Sequence, residues 1–166
     1  MKEPVKMSGT SANSEFQLED FLPYRLSVAS EHVSRMMVRH YLDQVGLGMP
    51  EWRLLAAVGR HGVLSPTAAG EYTAMDKVKV SRAAAGLVAR GLLKQSQDPN
   101  DGRGRLLRLT RKGTTVYSGL PTMAQQMEKT ILGGLSVTDW GNLQRILGKL
   151  IDHTKVLLNG EGKEKA

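Results

Sequence analysis

Residues Lys77 to Ala85 read Lys-Val-Lys-Val-Ser-Arg-Ala-Ala-Ala. On a helical wheel this stretch separates into two faces. Val80, Ala83 and Ala84, continued by Leu87, fall on one side. Val78, Ser81, Arg82 and Ala85 fall on the other. The second set suits a DNA groove. Arg82 carries a guanidinium fork that matches the hydrogen-bonding edge of a guanine, Ser81 has a hydroxyl for a base edge or a phosphate, and Val78 offers an apolar surface to a thymine methyl. Ala85 and Gly86 allow close approach to a duplex. Lys77 and Lys79 flank this face at the helix start, where the dipole also favours phosphate, so they set register and do not choose bases. A second group lies downstream. Arg103 sits between Gly102 and Gly104, a setting in which a guanidinium can enter a narrow minor groove with little backbone in the way. Asp101 can brace it, and Arg105, Arg108, Arg111 and Lys112 extend the positive charge, each adding a salt-sensitive attraction to phosphate.

Other chemistries find no residues. The 166-residue chain has no cysteine, which excludes disulfides, thiolate nucleophiles and zinc-thiolate sites. His32, His40, His61 and His153 show no metal-ligand spacing, so no metal is expected. There is no phosphate-binding Gly-x-x-x-x-Gly-Lys run, no Gly-x-Ser-x-Gly elbow and no grouped Ser/His/Asp or paired carboxylates; neither catalysis nor a cofactor is expected. The eight methionines fall mostly at helical core spacing, which fits packing better than redox sensing. Lys and Arg outnumber Asp and Glu by 23 to 16, a net charge of +7. That excess points to a polyanion, nucleic acid ahead of an acidic membrane. No signal-like or membrane-length apolar run is present, and a cytoplasmic location is expected.

The elements that would hold these residues follow from periodicity and punctuation. Residues 1–15 and 159–166 are polar and are expected to be tails. Leu22, Leu26, Ala29, Val33 and Met36 predict one long helix over about 18–45, ended by Gly46 and Gly48. Pro50 opens a second helix with Trp52, Leu55 and Val58 or Gly59 inward, closing near Gly62. Ser65 as N-cap with Pro66 opens a short third helix through about Tyr72. A turn at Thr73–Asp76 leads to a fourth helix, Lys77 to Arg90, closed by Gly91. Leu92–Ser96 and Leu106–Thr110 predict two strands around a long basic tip, Asp98 to Gly104. A helix over 111–132, bent at Pro121, ends at Gly133-Gly134, and Ser136 to Asp139 reads as a capping box before the last helix. The fold class is therefore mainly α with a small β-hairpin. Two short helices joined by a turn and followed by a basic hairpin form a winged helix-turn-helix, in which the second helix of the pair reads the major groove.

The runs Asp98-Pro99-Asn100-Asp101-Gly102-Arg103 and Leu109-Thr110-Arg111-Lys112-Gly113 resemble the wing signature of the MarR family. Val80-Ser81-Arg82 with Leu87 to Leu93 is similar to that family's reading helix and its exit. Gly102 stands where many members carry a second arginine, and Ala68, Ala69 and Gly70 replace residues that are often polar there. The resemblance covers nearly the whole chain. It implies one winged-helix domain over 16–158, with a DNA-binding lobe at about 50–112 and dimerisation helices at 16–46 and 113–158. Apolar seams longer than so small a core needs agree with a homodimer, and an inverted-repeat operator would be read in two successive grooves. Ser65 and Thr67 join Lys77, Val78, Lys79, Ser81, Arg82, Asp101, Arg103 and Arg105 as the candidate DNA-contacting set.

The resemblance also implies a small-molecule cleft. By position, Tyr24, Arg25, Ser30, Trp52, Arg53 and His61 are its candidate lining, with Arg25 or Arg53 able to pair a carboxylate. A place in the core and an internal ion pair are the competing roles for Trp52 and Arg53. The stretch Leu22 to Ser27 is similar to regulators of aromatic-compound catabolism. The expected function is a repressor released from its operator by a small aromatic acid or its acyl-CoA thioester. The alternative is a winged-helix module that binds protein or structured RNA and answers to no ligand.

Overall fold

The computed structural model describes residues 16–39, 43–99 and 101–161, apart from the side chains of Gln44, Asp101, Arg103 and Glu161. The expected tail at 1–15, His40, Asn100 and the end of the carboxyl-terminal tail, 162–166, lie outside the described residues. Contacts divide the chain into two units, residues 1–36 and 37–166.

In the first unit a single 3-10 turn, Leu18–Asp20, precedes helix α1, Leu22–Met37. The helix expected from residue 18 therefore starts later, and Pro23 gives the reason. A proline lacks the N–H that an interior helical residue must donate, so it is held to the first turn. Phe21 is extended at φ −74°, ψ 115°, and its ring meets that of Phe16 edge-on at 5.8 Å. Glu31 and Arg35 pair at 2.6 Å across one helical turn. Leu22, Leu26 and Val33 of the apolar seam are exposed.

The second unit contains a one-turn helix α2, Asp43–Val45. Helix α3 spans Met49–His61, strand β1 Val63–Leu64, α4 Pro66–Thr73 and α5 Lys77–Ala89. Each start has a visible cause. Pro50 sits in the first turn of α3, the Ser65 hydroxyl accepts the Ala68 N–H at 3.2 Å, and the Asp76 carboxylate accepts the Lys79 N–H at 2.8 Å, satisfying donors that helix geometry leaves unpaired. Strands β2, Leu93–Asp98, and β3, Asp101–Leu109, form the hairpin. The two-residue β1 joins its other edge to give the antiparallel order β1-β3-β2. Leu64 faces Leu107, which faces Gln95 across the next ladder, and the register slips at Gln97/Asp98.

Two expectations change here. The hairpin tip is not a loop from 98 to 104, because β3 begins at Asp101. The sequence also gave no sign of β1. Helix α6, Arg111–Leu132, carries Pro121 without ending there. Helix α7, Val137–Glu161, starts on a reciprocal Ser136–Asp139 cap and runs three residues into the expected tail.

The core gathers Leu54, Leu55 and Val58 of α3, Val80, Ala83, Ala84 and Leu87 of α5, and Leu64, Leu93 and Leu107 of the sheet. Leu54 joins the inward face of α3, and Trp52, half-buried, packs against the core as expected. Each fully buried leucine contributes about 1.5–3 kcal/mol. Gly113 is the tightest packing point beneath the sheet. A Cβ there would collide with the backbone carbonyl of Leu92, while the Thr110 hydroxyl accepts the Gly113 N–H at 3.0 Å to cap α6.

Candidate nucleic-acid interface

Burial decides which side of α5 is available. Val80, Ala83, Ala84 and Leu87 are buried, while Lys77, Val78, Lys79, Ser81, Arg82 and Ala85 are exposed. The exposure of Val78, a β-branched apolar residue, is 58%, an arrangement with no benefit in the isolated chain and one that a groove with thymine methyls would use. Ahead of α5, the α4 helix ends at Ala74 in the left-handed region, φ 52°, and the Met75 N–H returns to Gly70 O at 3.1 Å. This tight reversal, with Met75 buried, fixes the angle at which α5 leaves α4.

Two expected phosphate contacts are already engaged. The Lys79 ammonium lies 3.2 Å from the Asp76 carboxylate. That carboxyl is held below its ordinary value of 3.8, first by the Lys79 backbone N–H and then by the Lys79 side chain. The Lys112 ammonium donates to the Arg90 carbonyl at 3.1 Å, closing the carboxyl end of α5. Ser65 spends its hydroxyl on its own helix cap, while Thr67 is exposed.

On the hairpin, Arg105 is exposed and pairs in register with Gln97. It lies two residues before Leu107, so it shares the sheet face that Leu107 turns to the core. Arg108 and Lys94 stand directly opposite each other on the other face, both exposed. Like charges so placed repel and leave that face strongly positive. The backbone of Asp101 and Arg103 lies in β3, and their side chains lie outside the described residues.

Among the expected cleft residues, Trp52, Arg53 and His61 come together. They line a cavity of about 470 Å³ with Ala56, Ala57, Arg60, Tyr72 and Thr73. The His61 and Tyr72 rings stack at 4.0 Å, 19° from parallel. The Trp52 indole nitrogen is buried and has no hydrogen-bond partner among the described residues, a donor that a bound acceptor would satisfy. Tyr24, Arg25 and Ser30 lie on α1 in the first unit, all exposed.

A sequence model of the MarR family matches residues 45–104, the stretch that runs from the end of α2 through both helices of the pair and into the wing. Over those residues the chain is similar to the MarR family. The HTH-type transcriptional repressor IacR of Pseudomonas putida is similar at 23% identity over 146 residues, 88% of this chain and 87% of that protein. A probable transcriptional regulator from Pseudomonas aeruginosa is 27% identical with a TM-score of 0.72, covering 81% of this chain and 99% of its own. BpsR of Bordetella bronchiseptica, whose DNA binding is regulated by 6-hydroxynicotinic acid, is 26% identical with a TM-score of 0.71, covering 77% and 96%. The chain is thus similar to MarR-family transcriptional regulators, and it has their winged-helix fold. No helix among its described residues is long and apolar enough to cross a membrane.

Two features escaped sequence reasoning. Arg60, Ala56 and Ala57 join the cavity because Trp52-Ala56-Arg60 and Arg53-Ala57-His61 are two rows at helical spacing of four on α3, a signal that was available. The second is an ion pair between Glu51 and Arg90, 3.6 Å apart. Arg90 also donates to the carbonyls of Gly46 and, at 2.7 Å, Val45, and the Glu51 carboxylate accepts the Gly48 N–H at 2.9 Å. Only the three-residue spacing from Gly48 to Glu51 hinted at a cap there; partners 39 residues apart in sequence carry no local signal.

Proposed function

We propose that this chain is a sequence-specific repressor that binds an inverted-repeat operator as a homodimer and is released by a small aromatic acid. The observation that carries the reading is the exposed face of α5, where Val78, Ser81, Arg82 and Ala85 stand clear of the core beside a positively charged hairpin. Arg82 and Ser81 choose bases; Lys77, Thr67 and Arg105 hold phosphates, with Arg103 and Asp101 at the hairpin tip. Ser65 and Lys79 serve chiefly by holding the two helix starts in place.

Dimerisation is supported by α7. None of its described side chains is buried, and Val137, Leu143, Ile146, Ile151, Val156, Leu157 and Leu158 are exposed. So much exposed apolar surface on one helix is the ordinary sign of a missing partner surface. Residues 16–46 and 113–158 are accordingly assigned to dimerisation and about 50–112 to DNA binding, with half-sites centred about 10 bp apart and the protein acting in the cytoplasm.

The effector reading rests on the α3–α4 cavity. Two guanidinium groups, Arg53 and Arg60, line it with the stacked His61–Tyr72 pair, a set suited to a planar carboxylate. A volume of about 470 Å³ lies within the usual range for small-molecule sites, and it favours the free acid over the thioester, whose nucleotide would project outside. Tyr24, Arg25 and Ser30, on α1 in the first unit, remain effector candidates by the resemblance alone and are not part of this cavity's lining. BpsR and its 6-hydroxynicotinic acid offer a precedent in a relative.

Footprinting and gel shifts on the chain's own promoter region test the DNA reading. An inverted-repeat footprint that random duplex at matched salt fails to displace is expected. Equal competition by random duplex would favour a general protein- or RNA-binding module. A thermal-shift screen of aromatic acids and their thioesters tests the effector, and a hit must both stabilise the fold and weaken operator binding. A stabilising compound that leaves operator affinity unchanged would overturn release by that compound.

A further inference from the structure

We infer that Glu51 and Arg90 are a positioning pair for DNA reading: they fasten the carboxyl end of α5 to the connection at 45–48, so that this connection sets the tilt of α5 against the groove. The inference rests on the reading of α5 as the DNA-contacting helix. Neither residue belongs to the exposed reading face, and Gly86, expected to allow close approach to a duplex, is half-buried and turned toward Glu51 instead.

The geometry is a fork at one end of a lever. Arg90 caps α5 and sends its two terminal nitrogens to the carbonyls of Gly46 and Val45. Those carbonyls belong to the end of the short α2 turn, where helical geometry leaves acceptors without donors. Glu51 completes the fork from below. One carboxylate oxygen accepts from Gly48 and lies 3.6 Å from the guanidinium, and the other faces α5 at Gly86, where a Cβ would collide with it. A planar guanidinium can meet two carbonyls and a carboxylate together; a lysine ammonium on its single tip cannot keep that plane. The side chains are 35% and 22% exposed, so the pair acts through hydrogen-bond direction more than through charge.

Packing alone would not fix the tilt. The contacts of α5 with the core are made by Val80, Ala83, Ala84 and Leu87, two of them alanines, and apolar burial is non-directional. At 1.5 Å per residue the fork stands about 18 Å from Val78 along the helix. A tilt of about 5° about the fork moves the reading end by about 1.5 Å, more than the tolerance of a base-edge hydrogen bond. Phosphate attraction survives such a shift, because Coulomb forces fall slowly with distance.

The test compares the full-length dimer with Arg90→Lys, Glu51→Gln, the double variant and Gly86→Ala, which displaces the carboxylate from the α5 side. Binding is measured to a duplex carrying the footprinted inverted repeat and to random duplex at matched salt. Each single variant is expected to lower the preference for the repeat by about ten-fold, with affinity for random duplex and its salt slope unchanged. The double variant should be no worse than the weaker-binding single. Unchanged preference in Arg90→Lys and Gly86→Ala would overturn the pair, as would additive losses in the double, or equal losses on both duplexes with a lowered melting temperature. If Arg90→Lys fails to fold, Gly86→Ala and Glu51→Gln decide by the same ratio. A wild-type protein with no preference for the repeat sinks the DNA reading itself, whereas intact wild-type preference with unaltered variants sinks only the pair.

Discussion

Gly113→Ala sets two physical effects against each other on one helix. Alanine is favoured over glycine within a helix by about 1 kcal/mol, so propensity alone predicts stabilisation. The structure predicts the reverse. The added methyl would meet the carbonyl of Leu92, with that residue's carbonyl carbon 2.9 Å away and Leu109 Cδ2 at 3.3 Å. Two of the three obstacles are backbone, so no rotamer change relieves the clash. The same carbonyl accepts the Thr110 N–H at 3.0 Å, which ties the hairpin exit to the start of α6.

Overpacking costs about 1–3 kcal/mol, and a backbone collision belongs at the upper end. Subtracting the propensity gain leaves a net loss of about 2 kcal/mol, or a melting temperature lower by about 4–8 °C for a chain of this size. Gly119→Ala is the internal control. It lies on the same helix, and no described atom stands within 4 Å of its Cβ position, so a rise of up to about 4 °C is expected. Calorimetry at one fixed chain concentration reads both. A Gly113→Ala protein as stable as wild type, or Gly119→Ala shifting the same way as Gly113→Ala, would refute the packing account.

Three further outcomes follow from the interface. Arg82→Ala should flatten preference among operator variants at one position, by about 1–3 kcal/mol if it grips a guanine, and a uniform loss across sequences would assign it to phosphate. Arg105→Ala should reduce the slope of log affinity against log salt by about one and leave sequence preference alone. Asp76 has its folded pKa lowered, so its contribution to stability is complete above its unfolded value near 3.8 and is lost as pH falls below that through the folded value. The gap in denaturation midpoint between wild type and Asp76→Ala should therefore close on acidification below that pH, and a gap that stays constant down to the folded value would refute the linkage.

What could be read in advance depended on how local the signal was. The α5 division into Val80, Ala83, Ala84 and Leu87 against Val78, Ser81, Arg82 and Ala85 was legible because thirteen residues of one helix repeat the same angle. Ser65 and Ser136 were legible as helix starts because a cap and its donors sit within three residues, whereas Asp76, which caps α5 in the same way, was read only as the end of a turn. Strand β1 was not, since two residues show no alternation and gain their pairing only from β3. The hairpin tip was misjudged because Asp98 to Gly104 is rich in turn formers, while the ladder propagated through it from Leu107 with a slip at Gln97/Asp98. Half of the expected cleft assembled on α3, where spacing sufficed. The Glu51–Arg90 fork and the demand for glycine at position 113 both arise between segments distant in sequence.

The placement of Trp52 gives the molecule a built-in optical reporter. The chain holds two indoles, Trp52 and Trp140, and Trp140 lies on α7, away from the α3–α4 cavity lining. Replacing it with phenylalanine leaves one indole, whose N–H is buried and has no hydrogen-bond partner among the described residues. Its colour and lifetime report a compound that enters beside it, so the proposed occupancy of the cavity and the proposed release of labelled operator can be followed in one cuvette and their order read from the time courses.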